Sequence, residues 1–370
     1  MKLISSKALH SLAMVVGTFQ QQRIAREIIP LFKAENYIHI PTIVSLDGYY
    51  QFGLKLDNLG PVMSLNSIAH SPWYDRPFLL KLCSLLPFIF QMFLISRRFS
   101  YVLFFVDTGA LERTAIIVLK RLGCRTIVLQ DAMKRKPRYD KPGSLTWFGS
   151  GGADLYLLTG KRYLSMVQCN RSTVVGSPIY SNQVIAKPLG NKILVINQCF
   201  ARYGEMSVSE EVAFAKKVVE NASAFGPVEL KLHPHNNPRE YSLLRRPGVE
   251  VTQHKPLSRS LEDAGIVLSV NSTVILEALV LGRPVLTLDW HPSPFEQPVR
   301  TGITRCESLN EMCKALNRWR QVGPKSLLFP IQAVQQEVEE FIAYSGNDAK
   351  MRIAKAIERF VIETYGQRYF

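Results

Sequence analysis

"VLSVNSTVILEALVLGRPVLTL", from Val267 to Leu288, reads as two buried strands joined by a helix. The apolar runs on either side ask for nothing beyond a core. Between them stands Asn271-Ser272-Thr273, at the corner where strand becomes helix. A helix amino end carries unpaired N–H groups and a partial positive charge, so such a corner is a ready anion site. The hydroxyls of Ser272 and Thr273 would add donors for phosphate oxygens. Asn, Ser and Thr are also the residues an ordinary helix cap prefers, so the triplet alone fits either role.

Outward from this unit the same alternation repeats. "NYIHIPTIVSL", "YVLFFVD", "RTIVLQD", "ADLYLLTG" and "STVVGSP" read as strands of a first half, with "GALERTAIIVLKRLG" as an amphipathic helix among them. After the turn-rich "GSPIYSNQVIAKPLGN" the pattern restarts with "KILVINQ", the helix "SVSEEVAFAKKVVENASAF", "PVELKLHP", "AGIVLSV" and "RPVLTLD". Strands alternating with helices argue for parallel βαβ units. A chain of 370 residues also exceeds the usual size of one core. The expected division is a first α/β domain over 1–185, a second over 186–346, and a last amphipathic helix over 347–370. That helix is capped by Asn347 and crosses back to the first domain. Two such halves imply a cleft, with ligands outside the carboxyl ends of the strands. The residues to inspect are then Asp107, Gln130-Asp131, Gln198, His233-Pro234-His235 and Asn271-Ser272-Thr273.

In "ELKLHPHNN", Lys231 lies near the strand end and Pro234 stops the strand directly after His233, so the imidazole is presented at the sheet edge. There it can donate to a phosphate leaving group; His235 reads as a surface residue. Glu277 lies one helical turn beyond Thr273 and can reach a ribose hydroxyl or pair with Arg283. Gln198 ends "KILVINQ" and can bond the nucleotide or sugar. In "VLQDAMKRKPRYD", Asp131 is the leading candidate for a general base, or for a nucleophile at an anomeric carbon, ahead of Asp107 and Glu112. The basic residues Lys134, Arg135, Lys136 and Arg138 would draw an anionic substrate towards it. No His/Asp/Glu cluster has metal spacing, so neither a metal nor a resident cofactor is expected.

The formal net charge of +15 calls for an anionic partner. The cations are dispersed and no nucleic-acid fold motif accompanies them, which argues against nucleic acid. The six cysteines lie far apart, without zinc or redox spacing, as reduced thiols of a cytoplasmic protein would. The first residues do not read as a signal peptide. "PFLLKLCSLLPFIFQMFLISRR", from Pro77 to Arg98, is interrupted by Lys81, Pro87 and Gln91. It reads as a buried helix pair bent at Pro87, or as a surface resting on the inner membrane with Arg97 and Arg98 at anionic headgroups.

With these residues laid out, the chain resembles the GT-B bacterial glycosyltransferases that use CMP-activated acidic sugars. "VNSTVILEALVLGRPVLTL" is similar to the "NSTV…EAL…G.PV" segment of capsule polysaccharide β-Kdo transferases (Kdo is 3-deoxy-manno-octulosonic acid). Bacterial sialyltransferases of similar fold carry a D/E-D/E-G motif, an HP motif and a Ser/Thr-rich motif; Gln130-Asp131-Ala132, His233-Pro234 and Ser272-Thr273 stand here in that order. Gln198 resembles a glutamine opening the second domain of the Kdo enzymes. The resemblance covers roughly residues 130–288 and departs from the pattern at Gln130 and Ala132. It implies two Rossmann-like domains facing across a cleft, with Asp131 as catalytic carboxylate. His233, Ser272 and Thr273 would hold the CMP phosphate, with Gln198, Lys231, Pro234, Asn271 and Glu277 around the donor. The acceptor would be an anionic or lipid-linked glycan, met at the inner face of the plasma membrane. Two alternatives share parts of the pattern: a CDP-glycerol or CDP-ribitol phosphotransferase, and a UDP-sugar 2-epimerase.

Overall fold

The alternation read from the sequence becomes two parallel sheets in the computed structural model. It describes residues 10–16, 19–34, 38–39, 43–45, 62–64, 78–108, 110–134, 148–169, 171–185, 187–201, 205–293 and 295–365. One compact unit runs as far as Tyr180 and takes up the chain again at Phe341–Phe370; Ser181–Glu340 belongs to the other. The joint therefore falls at 180/181 rather than 185, and the return at 341 rather than 347.

The first unit contains β1 (His10–Val15), α1 (Phe19–Ala34), β2 (Ile38–His39), β3 (Ile43–Ser45), β4 (Val62–Ser64), α2 (Phe78–Arg98), β5 (Tyr101–Phe104), α3 (Ala110–Arg121), β6 (Arg125–Leu129), β7 (Leu155–Leu158) and β8 (Ser172–Val174). The strands lie in the order β4-β3-β1-β5-β6-β7-β8, with β2 also beside β1, and every pairing is parallel. Tyr101, Val102, Leu103 and Phe104 are all buried, as strands covered on both faces must be, which is why they read as continuous apolar runs. One strand has no counterpart in the sequence reading, and two expectations need correction. His10–Val15, near the amino end, supplies β1, between β3 and β5. "NYIHIPTIVSL" gives two short strands in place of one. Residues 78–98 form one continuous helix, α2, in place of a helix pair.

The second unit contains β9 (Lys192–Ile196), α4 (Val208–Ala222), β10 (Val228–Lys231), β11 (Val249–Thr252), α5 (Leu257–Asp263), β12 (Ala264–Ser269), α6 (Val274–Val280), β13 (Val285–Leu288), β14 (Thr304–Cys306), α7 (Leu309–Val322) and α8 (Ile331–Phe341). Its sheet is also parallel, in the order β11-β10-β9-β12-β13-β14. α4 starts at a capping box in which Ser207 and Glu210 satisfy each other's backbone N–H groups. It buries Ala215, Val218 and Val219 against Ile193, Val195, Leu230 and Leu268 of the strands.

The last helix, α9 (Gly346–Tyr365), belongs to the first unit. Ile353, Ile357, Phe360 and Val361 join the core built on Leu12, Ile28, Tyr101 and Leu103. Lys350 Nζ meets Glu27 of α1 at 2.5 Å. Asn347 lies inside this helix and does not cap it; the first turn closes from Ala349 N to the Ser345 carbonyl. Gly176 takes a φ of +84°, and Ser177 N donates to the Tyr344 carbonyl at 2.9 Å. A Cβ at 176 would run into that carbonyl, so only glycine fits where the two segments meet.

Within β10, Glu229 is fully buried and accepts from Ser260 Oγ at 2.5 Å, Lys255 Nζ at 2.6 Å and Thr252 Oγ1 at 2.8 Å. Burial alone would raise its pKa, but these donors outweigh it and hold the carboxyl below its ordinary value of 4.5. A carboxyl depressed in the folded state stabilises above its unfolded value, and that contribution is lost as pH falls through the folded one. Glu229→Gln should therefore lower stability at neutral pH by about 1–3 kcal/mol. The gap to wild type should shrink in acid, which thermal melts at neutral pH and below 4.5 would measure.

Candidate functional site

In the second sheet the chain steps outward from β9 to β10 and β11, then returns to the other side of β9 for β12, β13 and β14. The order reverses between β9 and β12, and in open α/β sheets ligands bind outside the carboxyl ends at such a switch point. Gln198 follows β9 and Asn271 follows β12. They meet there, with Asn271 N donating to Gln198 Oε1 at 3.2 Å. Asn271 is itself buried and passes the contact on, its Nδ2 donating to Ser293 Oγ at 3.1 Å. Ser293 N in turn donates to His291 Nδ1 at 3.0 Å. The His291 ring is stacked on Phe200 at 4.2 Å and meets the edge of Phe214 at 4.5 Å.

His233 and Pro234 form the turn after the neighbouring strand β10. His233 N donates to Asn236 Oδ1 at 2.9 Å, and Gln253 Nε2 donates to the carbonyls of His233, Pro234 and Asn236 at 3.1, 3.2 and 2.7 Å. His235 N donates to His233 Nδ1 at 3.2 Å, which places the neutral ring's proton on Nε2 and makes that atom the donor. Beneath the turn is a carboxylate that no sequence pattern singled out. Glu211 of α4 is buried and accepts from Tyr241 Oη at 2.5 Å, Asn236 Nδ2 at 2.7 Å, Asn197 Nδ2 at 3.2 Å and Ala201 N at 2.7 Å. Burial, with Glu211 beside it, pushes the Tyr241 hydroxyl far above its ordinary range, so it stays protonated and donates. Asn197 Nδ2 also reaches Asn236 Oδ1 at 3.2 Å. A continuous hydrogen-bonded row therefore spans the ends of β10, β9 and β12, where neighbouring strands are only about 4.8 Å apart. A cavity of about 10 Å³, lined by Val195, Asn197, Gln198, Phe214, Ala215 and Leu288, has room for a water and not for a nucleotide.

The other expected donor-site residues divide. Ser272 Oγ accepts from Val274 N at 3.3 Å, so it acts as a capping hydroxyl, and Thr273 stands at the N-cap of α6 in helical conformation. α6 has seven residues, which keeps its dipole small. Glu277 lies in its first turn, half-buried. Arg283 is buried and donates to the carbonyls of Pro188 at 2.5 Å and Glu262 at 3.4 Å. Lys231 Nζ donates to the carbonyls of Gln253 and Lys255, so it braces the segment behind the His233 turn. Burial lowers its pKa.

The two aspartates of the first unit differ sharply. Asp107, after β5, is fully enclosed and accepts from Gly149 N, Gly151 N and Tyr156 Oη at 3.0, 2.8 and 2.8 Å. It is a clamp on the glycine turn, and a Cβ on Gly151 would strike it. Asp131, after β6, has its Oδ2 bonded by Gln21 Nε2 at 2.8 Å and its Oδ1 by Lys134 Nζ at 2.5 Å, while Gln20 holds its carbonyl. Gln130 is buried within the frame, accepting from Thr159 N at 3.1 Å and donating to the Ala132 carbonyl at 2.9 Å. Arg135, Lys136 and Arg138 lie outside the described residues. Among the described residues no group of three His, Cys, Asp or Glu is placed to hold a metal ion.

No protein-family model and no curated protein sequence matches the chain. Solved structures do share its fold. The MnaA–UDP complex from S. aureus is 15% identical, with a TM-score of 0.65 over 95% of this chain and 97% of that one. A Listeria monocytogenes protein assigned to the UDP-N-acetylglucosamine 2-epimerases is 14% identical, with a TM-score of 0.63 over 96% and 98%. The spinosyn rhamnosyltransferase SpnG with thymidine diphosphate is 13% identical, with a TM-score of 0.56 over 94% and 100%. The fold is thus that of the GT-B glycosyltransferases and related epimerases, two Rossmann-like α/β domains with parallel sheets.

Glu211→Gln should keep the fold but loosen the His233 turn. It replaces a carboxylate that takes four donors with a group that must supply two of its own. The expected loss is about 1–3 kcal/mol of stability, with faster amide exchange at residues 233–236 than in wild type, read by hydrogen-exchange mass spectrometry.

Proposed function

We propose that the chain is a glycosyltransferase that binds a nucleotide-activated sugar at the carboxyl edge of its second sheet and transfers the sugar to an anionic or lipid-linked glycan. The observation that carries this is the contact between Gln198 and Asn271 at the switch point, beside the braced His233 turn. Preorganised donors at strand ends suit a ligand whose charge grows as its phosphate departs. His233 Nε2 and the hydroxyls of Ser272 and Thr273 meet that phosphate, while Gln198, Asn271 and Glu277 take the nucleoside or sugar. Lys231 and Pro234 act from behind, by holding the turn. In transfer the acceptor hydroxyl oxygen bonds to the anomeric carbon, the bond from that carbon to the phosphate oxygen breaks, and Asp131 takes the hydroxyl proton.

The donor is a CMP-linked acidic sugar in this reading, supported by the "NSTV…EAL…G.PV" resemblance and the basic charge of the chain. A UDP-sugar 2-epimerase is the competing reading, favoured by the likeness to the UDP complex of MnaA. Calorimetric titration with CMP, CDP, UDP and UDP-GlcNAc separates them. CMP should bind best, and His233→Ala and Ser272→Ala should each weaken it by about 1.5–3 kcal/mol, the worth of a hydrogen bond to a charged group. Preference for a uridine nucleotide would retire the CMP reading in favour of the epimerase or a UDP-sugar transferase.

Asp131→Asn keeps the shape of the side chain and removes the charge that takes the proton. Donor turnover, followed as nucleotide release with glycan present, should fall by about a hundredfold or more, with nucleotide affinity unchanged. Full activity in this variant would remove Asp131 from the reaction.

A further inference from the structure

We propose that the outward face of α2 is a docking surface for an anionic lipid membrane. Phe88, Met92 and Ile95 recur at helical spacing along this helix and are buried, with Phe99 just beyond its end. They define the face that belongs to the core. The opposite side of a surface helix is ordinarily polar. Here it carries Ile89, Phe90 and Phe93, exposed at 37%, 60% and 44%.

Charge follows the apolar residues directly. Arg97 and Arg98 are exposed in the last turn, and no Asp or Glu stands between Asp75 and Asp107. The adjoining helix α3 leaves Ile117 exposed, with Leu122 exposed just past its end, and its last turn carries Arg121 and Lys120, the latter paired with Asp154 at 3.2 Å. Phenylalanines next to arginines on a helix without a carboxylate, as α2 is, are what an interfacial helix offers a bilayer. The rings enter the acyl boundary while the guanidinium groups remain among the phosphates.

A second copy of the chain suits this face poorly, because two-fold pairing would set its cations against one another. Among the described residues no helix is long and apolar enough to cross a membrane, so the contact proposed is peripheral. The inference does not depend on the identity of the nucleotide, since vesicle binding is measured without one.

The test is co-sedimentation of the full-length protein with vesicles of equimolar phosphatidylcholine and phosphatidylglycerol, compared with phosphatidylcholine alone. Binding should favour the mixed vesicles and weaken with added salt. It should drop roughly tenfold or more in Phe90→Glu/Phe93→Glu and in Arg97→Glu/Arg98→Glu. Melting should be unaltered in both, since the replaced side chains are exposed. Phe90→Trp adds a reading that needs no loss of fold: its fluorescence should shift to the blue on mixed vesicles only. Equal binding to both vesicle types, or binding that survives both double variants, overturns the proposal. So does a dimer in analytical ultracentrifugation that Phe90→Glu/Phe93→Glu dissolves, which would assign the face to a second copy.

Discussion

Parallel strands can be joined only by crossovers, and in the second sheet those crossovers run to one side of β9 and then to the other. The residues following β9 and β12 are therefore left facing a common gap at their carboxyl ends. Gln198 and Asn271 occupy that gap, and their bond is possible only because strands distant in sequence become neighbours there. Asn197 and Gln198 are adjacent in the chain, yet Asn197 bonds towards β10 through Asn236, while Gln198 bonds towards β12. One strand end thus ties both halves of the edge together.

Glu211 makes the edge stiff. A buried carboxylate is costly unless donors surround it, and removing one partner leaves the charge exposed to an apolar interior. Tyr241, Asn236, Asn197 and Ala201 supply those donors from two separate stretches of chain, 197–201 and 236–241. Each must hold its position for the charge to be tolerated, so the cost of burial becomes a restraint on the turn. Asn236 carries that restraint to His233, whose backbone N–H it accepts. A histidine fixed in this way would lose little freedom in the phosphate contact proposed for it, which is the benefit of preorganisation.

The inner strands were legible because parallel strands buried on both faces leave apolar runs with no competing explanation. The edge strands β4, β11 and β14 are short, β11 and β14 are only partly buried, and no run marks them. Among the inner strands "HSLAMV" was the exception, since its histidine and serine break the run, and only the finished sheet shows that β1 lies between β3 and β5. The strand-end residues Gln198, His233 and Asn271 could be picked out by position alone. Glu211 could not: it follows Glu210, an exposed member of a capping box, and the pair look alike until α4 turns one of them inward. Lys231, expected around the donor, has its ammonium on the carbonyls of Gln253 and Lys255, which come from the loop after β11, a contact that strand position does not disclose.

Asp107 and Asp131 show how donors distinguish two carboxylates that sequence position treats alike. Asp107 is enclosed by the backbone N–H groups of Gly149 and Gly151 and by Tyr156 Oη, so its geometry and the glycine turn fix each other. Asp131 is held by side chains, one from the amino end of α1 and one three residues along its own loop. An ionised carboxylate has about four acceptor positions, so one bond to each oxygen orients the group and leaves capacity for a hydroxyl. Lys134, whose ammonium also lies 5.4 Å from the centre of the Phe148 ring, keeps the group from turning away. An oriented carboxylate with acceptor capacity suits the base role proposed for Asp131, and a carboxylate closed off by backbone would not.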